Sequence, residues 1–158
     1  ALRDEAPDVA LHLVGQLQSK KARRVARYAR VVHSVDRDSV VDALDGADLA
    51  VSCFLQVALS SEEHRGGASP DEVERLAERV LASRNLSLAG VMAVAPLGEE
   101  PRRAFARLRS ISDRVRSLEP AAAAISAGMS GDFEDAILEG ATHLRIGTAI
   151  TGNRPPTP

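Results

Sequence analysis

The chain has few of the residues on which several classes of site depend. It contains one cysteine, Cys53, no tryptophan and one tyrosine in 158 residues. A single cysteine rules out a disulfide framework and a cysteine-based zinc site, and it fits a reducing compartment, so we expect the cytoplasm. The four histidines show no metal-ligand spacing with nearby carboxylates, and the sequence therefore predicts no metal.

Long apolar runs are missing as well. No stretch approaches the roughly 20 residues of a membrane span, and no signal-peptide pattern opens the sequence. The net charge of -2 gives no overall attraction to nucleic acid or to an anionic membrane. These features favour a globular domain that binds neither nucleic acid nor a membrane, and the chain is long enough to form one such domain.

What the chain does contain is a regular alternation of apolar runs and helical patterns. The predicted strands are Val9–Gly15, Val31–Val35, Ala50–Leu59, Leu86–Ala95, Ala121–Ala127 and Thr142–Ile150. The predicted helices are Ser19–Arg30, Asp38–Leu44, a segment behind the capping-box sequence Ser69–Glu72, Pro101–Leu118 and Asp132–Leu138. Nearly unbroken apolar strands between helices indicate an α/β fold with a parallel sheet, either doubly wound or an incomplete (β/α)8 barrel.

Two of these helices carry clear apolar stripes. The residues predicted to face the core are Val73, Leu76, Ala77, Val80 and Leu81 in one helix and Phe105, Leu108, Ile111, Val115 and Leu118 in the other.

Two turns rich in Gly, Ser and Thr follow the last two predicted strands, one around Ser130 and one at Gly147–Thr148. Such turns expose backbone N–H groups and hydroxyls at a helix start, which suits a phosphate. Barrels often bind phosphate with the loops after strands seven and eight. This favours strands three to eight of a barrel, with two strands expected upstream of Ala1. Arg145 precedes the second turn, and the combination predicts a phosphorylated ring ligand.

Five segments together resemble one known family. They are residues 11–21, 33–36, 55–57, 88–93 and 126–154, and the last is the most specific. In their order and spacing they resemble the pyridoxal phosphate homeostasis proteins, single-domain relatives of the alanine racemase N-terminal barrel. The resemblance implies that residues 1–152 form the C-terminal part of one (β/α)8 barrel that binds pyridoxal 5'-phosphate (PLP), followed by a Pro-rich tail at 153–158.

The resemblance also implies roles for particular residues. Arg145 would face the pyridine nitrogen of PLP, and Ser130, Gly147 and Thr148 would hold its phosphate. Barrel sites are built at the ends of strands, and we therefore expect the ring pocket to be lined by some of His33, Gln56, Met92 and Ser126, whereas His12 is predicted to be a buried core histidine. The family's Schiff-base lysine lies on the first barrel strand, expected upstream of Ala1, so neither Lys20 nor Lys21 takes that role.

Two functions remain open on this basis. The first is a non-catalytic PLP carrier in intracellular PLP homeostasis, with enzymes that lack their PLP as possible recipients. The alternative is a PLP-dependent amino-acid racemase or decarboxylase, which needs a tyrosine from a second domain, whereas the only tyrosine here is Tyr28. A phosphate-binding barrel unrelated to PLP fits the last segment less well. A basic helix, residues 20–30, could bind an anion, but it is interpreted as a solvated face rather than a nucleic-acid site.

Overall fold

The computed structural model describes residues 9–60 and 66–152, and its five strands form a single parallel sheet. The strands are β1 (His12–Leu13), β2 (Val31–Val35), β3 (Val51–Gln56), β4 (Leu86–Met92) and β5 (Ala124–Ser126). Their spatial order is β1-β2-β3-β4-β5, and every neighbouring pair is parallel. This sequential order is that of a barrel, because a doubly wound sheet reverses its strand order at a switch point. Predictions for residues 1–8 and for the tail from Asn153 lie outside the described residues.

The predicted sixth strand, Thr142–Ile150, is largely wrong. Only His143 forms a parallel bridge, to Ser126 on β5, and residues Thr148–Thr151 are helical. The apolar side chains of this segment have no packed surface to hold them, since Leu144 is 39 % and Ile150 77 % exposed. An alternating pattern without a buried face does not sustain a strand. The bridge still places this segment beside β5, so the sequential order continues.

Six helices connect and follow the strands. They are α1 (Ser19–Ala26), α2 (Asp38–Asp45), α3 (Val73–Leu81), α4 (Pro101–Leu118), α5 (Phe133–Leu138) and α6 (Thr148–Thr151). Helix α4 has its predicted bounds, with Pro101 in the first turn. Helix α1 ends four residues earlier than predicted, because the N–H of Tyr28 bonds back to the carbonyl of Val25 in a tighter turn.

The helices cover one face of the sheet with their apolar stripes. The buried members of the two predicted stripes are Val73, Leu76, Ala77, Val80, Phe105, Leu108, Ile111 and Val115. Leu81 and Leu118 were predicted to face the core and do not, since they are 38 % and 40 % exposed at the last residue of α3 and α4. A helix end reaches beyond the sheet, so the last position of a stripe has nothing to pack against.

Glycine at position 90 fixes how closely β4 and β5 approach. Gly90 pairs with Ala124, and Met92 pairs with Ser126 two residues further along. A Cβ on Gly90 would lie 1.8 Å from the carbonyl oxygen of Ala124, and the φ of Gly90 is +150°. Only glycine fits this backbone. The close pairing therefore sets the position of Ser126, from which the candidate site is built.

Candidate functional site

The carboxyl ends of the parallel strands meet on one rim of the sheet. A cavity of about 590 Å³ opens there, and its walls are formed by His12, Val14, His33, His143, Leu144, Arg145, Ile146 and Gly147. Of the residues that the sequence assigned to a cofactor site, His33, Arg145 and Gly147 line this cavity. Ser126 and Met92 are 0 % and 2 % exposed and do not line it.

Arg145 is held by two neutral acceptors rather than by an acid. Its Nη1 donates to Ser126 Oγ and its Nη2 to the backbone carbonyl of Ala93, both at 2.9 Å. Within the described part of the chain, no carboxylate forms an ion pair with Arg145. Burial lowers the pKa of Arg145 from its ordinary value, and the carboxylate of Asp132 partly opposes this shift. Among the described residues, the Arg145 guanidinium at the cavity wall is therefore not paired with a carboxylate, and it is available to an acceptor on a ligand.

His33 lies at the centre of the polar groups. It is 2 % exposed on β2 and stacks on Phe54, with 4.4 Å between the ring centroids. Its Nδ1 is 2.8 Å from Ser126 Oγ. Burial, together with the neighbouring His12, Arg145 and His143, lowers the pKa of His33 to about 4. His33 is therefore neutral at pH 7.

Two further histidines complete the cluster. His12 Nδ1 lies 2.9 Å from His33 Nε2, and desolvation and the nearby His143 lower the pKa of His12. The ring of His143 packs edge-on against Phe54, 5.1 Å between centroids, and its Nδ1 is 2.8 Å from Thr142 Oγ1. His12 was predicted to be buried, which is wrong: it is exposed, because β1 forms an edge of the described sheet.

His143 and Phe54 belong to the cluster and were not predicted from the sequence. The only signal for His143 was its place two residues before Arg145, on the same side of the chain. Gln56, which was also considered for the ring pocket, is half-buried at the end of β3 and does not line this cavity. Within residues 9–60 and 66–152, no group of three or more His, Cys, Asp or Glu side chains is placed to hold a metal ion.

The two phosphate-type turns lie side by side. The backbone N–H of Ala149 donates to Ser130 Oγ at 3.1 Å, which joins the turn after β5 to the start of α6. A Cβ on Gly147 would meet no atom within 4 Å, so space is open beside this residue. Among the described residues, the N–H groups of Ser130, Gly147 and Thr148 have no acceptor. The turns therefore present free donors around open space, as an anion requires.

One acidic group also belongs to this region. Asp132 Oδ1 accepts a hydrogen bond of 2.6 Å from the N–H of Met129, so the carboxylate closes the turn on itself. Gly128 starts the same turn at φ +91°, where a Cβ would lie 2.8 Å from the Cβ of Ala136. Glycine is required there because the turn packs directly on α5. The tight turn aims Ser130 at α6.

The basic helix forms a separate surface on the outside of the sheet. Its exposed cations are Lys20, Lys21, Arg23, Arg24, Arg27 and Arg30. Arg23 donates to the carbonyl of Gly46, and in the part of the chain that the structure describes none of the six forms an ion pair. The acidic residues Asp38 and Asp42 of α2 do not pair with this helix, because they pair with Arg75 and Arg79 of α3.

Comparison with known proteins places the whole chain in one family. The sequence model of the alanine racemase N-terminal domain matches residues 1–155. The pyridoxal phosphate homeostasis protein of Corynebacterium glutamicum is 40% identical over 162 residues, which covers 96% of this chain and 73% of that protein. Its counterpart in Mycobacterium tuberculosis is 40% identical over 156 residues, covering 90% of this chain and 60% of that protein. The chain thus spans 60% to 73% of the length of these two relatives.

Solved structures agree with the sequence relatives. PipY of Synechococcus elongatus, determined with PLP bound, superposes with a TM-score of 0.82 at 29% identity and covers 93% of this chain and 72% of that chain. Alanine racemase from Corynebacterium glutamicum has a TM-score of 0.71 at 16% identity, covering 94% of this chain and 43% of that chain, and shows the fold alone. No helix in the described ranges is long and apolar enough to span a membrane.

Proposed function

The chain belongs to the alanine racemase N-terminal domain family, and on this premise we propose that it is part of a PLP-binding protein of intracellular PLP homeostasis. Its relatives at 40% identity carry the name pyridoxal phosphate homeostasis protein, and PipY has been determined with PLP bound. The proposed protein is a carrier that binds and releases PLP, with residues 1–152 forming part of one barrel and with the cytoplasm as its location. Enzymes that lack their PLP are the proposed recipients.

The residues present fit PLP in their chemistry. A PLP molecule carries a dianionic phosphate, and the N–H groups and hydroxyls of Ser130, Gly147 and Thr148 supply donors to it. The ring carries a pyridine nitrogen that accepts hydrogen bonds, and the guanidinium of Arg145 supplies donors that no acid in the described residues occupies. Since Arg145 and Gly147 both line the cavity, its wall carries a donor for each end of the cofactor. This convergence is the observation on which the proposal depends.

The nature of Arg145 favours binding over demanding catalysis. When bound, PLP supplies an aldehyde that reacts reversibly with amines and a ring that withdraws electrons from the product. A guanidinium cannot accept a proton and cannot give one up near neutral pH, so Arg145 keeps the ring nitrogen unprotonated. An unprotonated ring withdraws electrons weakly, whereas a carboxylate in the place of Arg145 would stabilise the protonated ring.

The proposal of a carrier also rests on the position of the only tyrosine. Racemisation requires proton transfer on both faces of the reacting carbon, with a second acid opposite the first. Tyr28 lies after α1 and packs against the core, and it does not line the cavity. In the proposed complex this chain therefore offers no tyrosine to the second face of the PLP ring.

Equilibrium titration tests the proposal. The intact protein should bind PLP, seen as a change in its absorbance, and should bind pyridoxal, which lacks the phosphate, at least tenfold more weakly because the donors of the two turns are left unused. Inorganic phosphate should compete with PLP. Equal affinity for PLP and pyridoxal would contradict the proposed phosphate site, and no binding of PLP would contradict the function itself.

A further inference from the structure

Four side chains along the cavity wall form one continuous chain of hydrogen bonds. Arg145 Nη1 donates to Ser126 Oγ at 2.9 Å, Ser126 Oγ lies 2.8 Å from His33 Nδ1, and His33 Nε2 lies 2.9 Å from His12 Nδ1. Ser126 is the central member, with no exposed surface. The chain runs from the proposed ring contact of the cofactor to an exposed histidine at the edge of the sheet.

Burial of His33 and the groups around it keep its imidazole neutral. The groups that face it are His12 on β1, and His143 and Arg145 from the segment after β5, and all three oppose a second positive charge. A neutral imidazole has one nitrogen that donates and one that accepts. The two hydrogen bonds of His33 therefore run in the same direction, either from Ser126 toward His12 or from His12 toward Ser126.

The hydroxyl of Ser126 decides between the two directions. If His33 donated to Ser126, the oxygen would receive hydrogens from both His33 and Arg145, and the hydroxyl hydrogen would have no acceptor among the described residues. A buried polar hydrogen without a partner is costly. If Ser126 donates to His33 Nδ1 instead, its oxygen accepts from Arg145 and every group is satisfied. His33 then carries its hydrogen on Nε2 and donates to Nδ1 of His12.

We propose that Ser126 and His33 are positioning residues that hold Arg145 through a relay running in one direction, from Arg145 through Ser126 and His33 to His12. The relay fixes both histidines as the tautomer protonated on Nε2. The other contact of the guanidinium is a single backbone carbonyl, that of Ala93, so without Ser126 it is free to turn about that contact. The relay deepens the proposed function, since Arg145 is the residue assigned to the cofactor ring.

The relay also links the exposed His12 to Arg145. A proton added to Nδ1 of His12 would face the hydrogen already on His33 Nε2. Either that hydrogen bond breaks, or His33 changes tautomer and turns the Ser126 hydroxyl away. In the second case the proton on His12 disturbs the partner of Arg145, and the orientation of the guanidinium then depends on His12.

Nitrogen-15 NMR of the protein without ligand tests the relay. At pH 7 the imidazole signals should show His33 and His12 as neutral rings protonated on Nε2. The guanidinium signals of Arg145 should show restricted rotation in the wild type and fast rotation in Ser126→Ala. Ser34→Ala is the matched control, because Ser34 is a buried serine beside His33 whose hydroxyl has no partner, and it should leave all these signals unchanged.

Three outcomes would overturn the relay: His33 protonated on Nδ1, His33 as a cation at pH 7, or equally restricted Arg145 in Ser126→Ala and wild type. The failure of the proposed function is a separate result, because the tautomers are measured without PLP. With PLP present, Ser126→Ala should bind about 3- to 10-fold more weakly, as expected for one lost hydrogen bond. If the wild type bound no PLP, the function would be wrong while the tautomer result stood.

Discussion

Replacing Gly90 with alanine should separate the two strands on which the candidate site is built. The added Cβ would lie 1.8 Å from the carbonyl oxygen of Ala124 and 2.7 Å from its carbonyl carbon. Non-bonded heavy atoms need roughly 3.5 Å, and both atoms that it meets belong to the backbone of β5. The side chain therefore cannot be accommodated by a rotamer change, and β5 must move away, taking Ser126 with it.

The loss of stability expected in Gly90→Ala has two sources. A non-glycine residue in a positive-φ conformation costs about 1–3 kcal/mol, and overpacking against a backbone that does not yield costs about 1–3 kcal/mol more. We expect Gly90→Ala to lower the free energy of unfolding, measured in urea, by about 2–6 kcal/mol, a large part of the stability of a domain of this size. PLP binding should weaken as well, at least as much as in Ser126→Ala, because Ser126 moves away from Arg145.

Gly140 supplies the matched control. It also has a positive φ, +92°, but a Cβ there would meet nothing within 4 Å. Gly140→Ala thus measures the conformational cost alone and should leave PLP binding intact. If Gly90→Ala were no more destabilising than Gly140→Ala, the close approach of β4 and β5 would be wrong, and with it the placement of Ser126.

Three other predictions address the site. The pKa of His33 is lowered from 6.5 to about 4 in the folded protein, so the unfolded chain takes up more protons than the folded one between these pH values. The free energy of unfolding should therefore fall by at most about 3 kcal/mol as the pH drops from 6.5 to 4, and it should stay constant above pH 6.5. Urea titrations should show this pH dependence in the wild type and a flatter profile in His33→Gln. Ser130→Ala and Thr148→Ala should each weaken PLP binding by about 1–3 kcal/mol in calorimetry, whereas Ser110→Ala, on the exposed face of α4, should not. Incubation with PLP and L-alanine should yield no D-alanine above background on chiral chromatography, in the wild type or in Arg145→Glu, and efficient racemisation by the wild type would restore the enzyme hypothesis.

The sequence predicted those elements whose signals are local. Helix α4 was predicted residue for residue, because Pro101 marks its first turn and a regular apolar stripe runs along it. Strand β2 was also correct, since Val31–Val35 is bounded by clear helical segments. The two turns around Ser130 and Gly147 were predicted from their composition. The fold brings the two turns together, and the N–H of Ala149 donates a hydrogen bond to Ser130 Oγ between them.

The sequence could not predict features that depend on which segments meet. Residues 142–150 alternate like a strand, yet only His143 pairs, because their apolar side chains have no packed surface opposite them. The same limit applies to the site: His33 and Ser126 are 93 positions apart, and nothing in either local pattern shows that they share a hydrogen bond. The exposure of His12 likewise follows from its place at the edge of the sheet that the described residues form.

A crystal structure of the protein with PLP would show whether this chain holds PLP between the two turns with Arg145 at the ring. We expect phosphate density between Ser130 and Gly147–Thr148, and the pyridine nitrogen within hydrogen-bonding distance of the Arg145 guanidinium. Phosphate density on the basic helix around Lys20 and Arg24, with the two turns empty, would contradict this expectation.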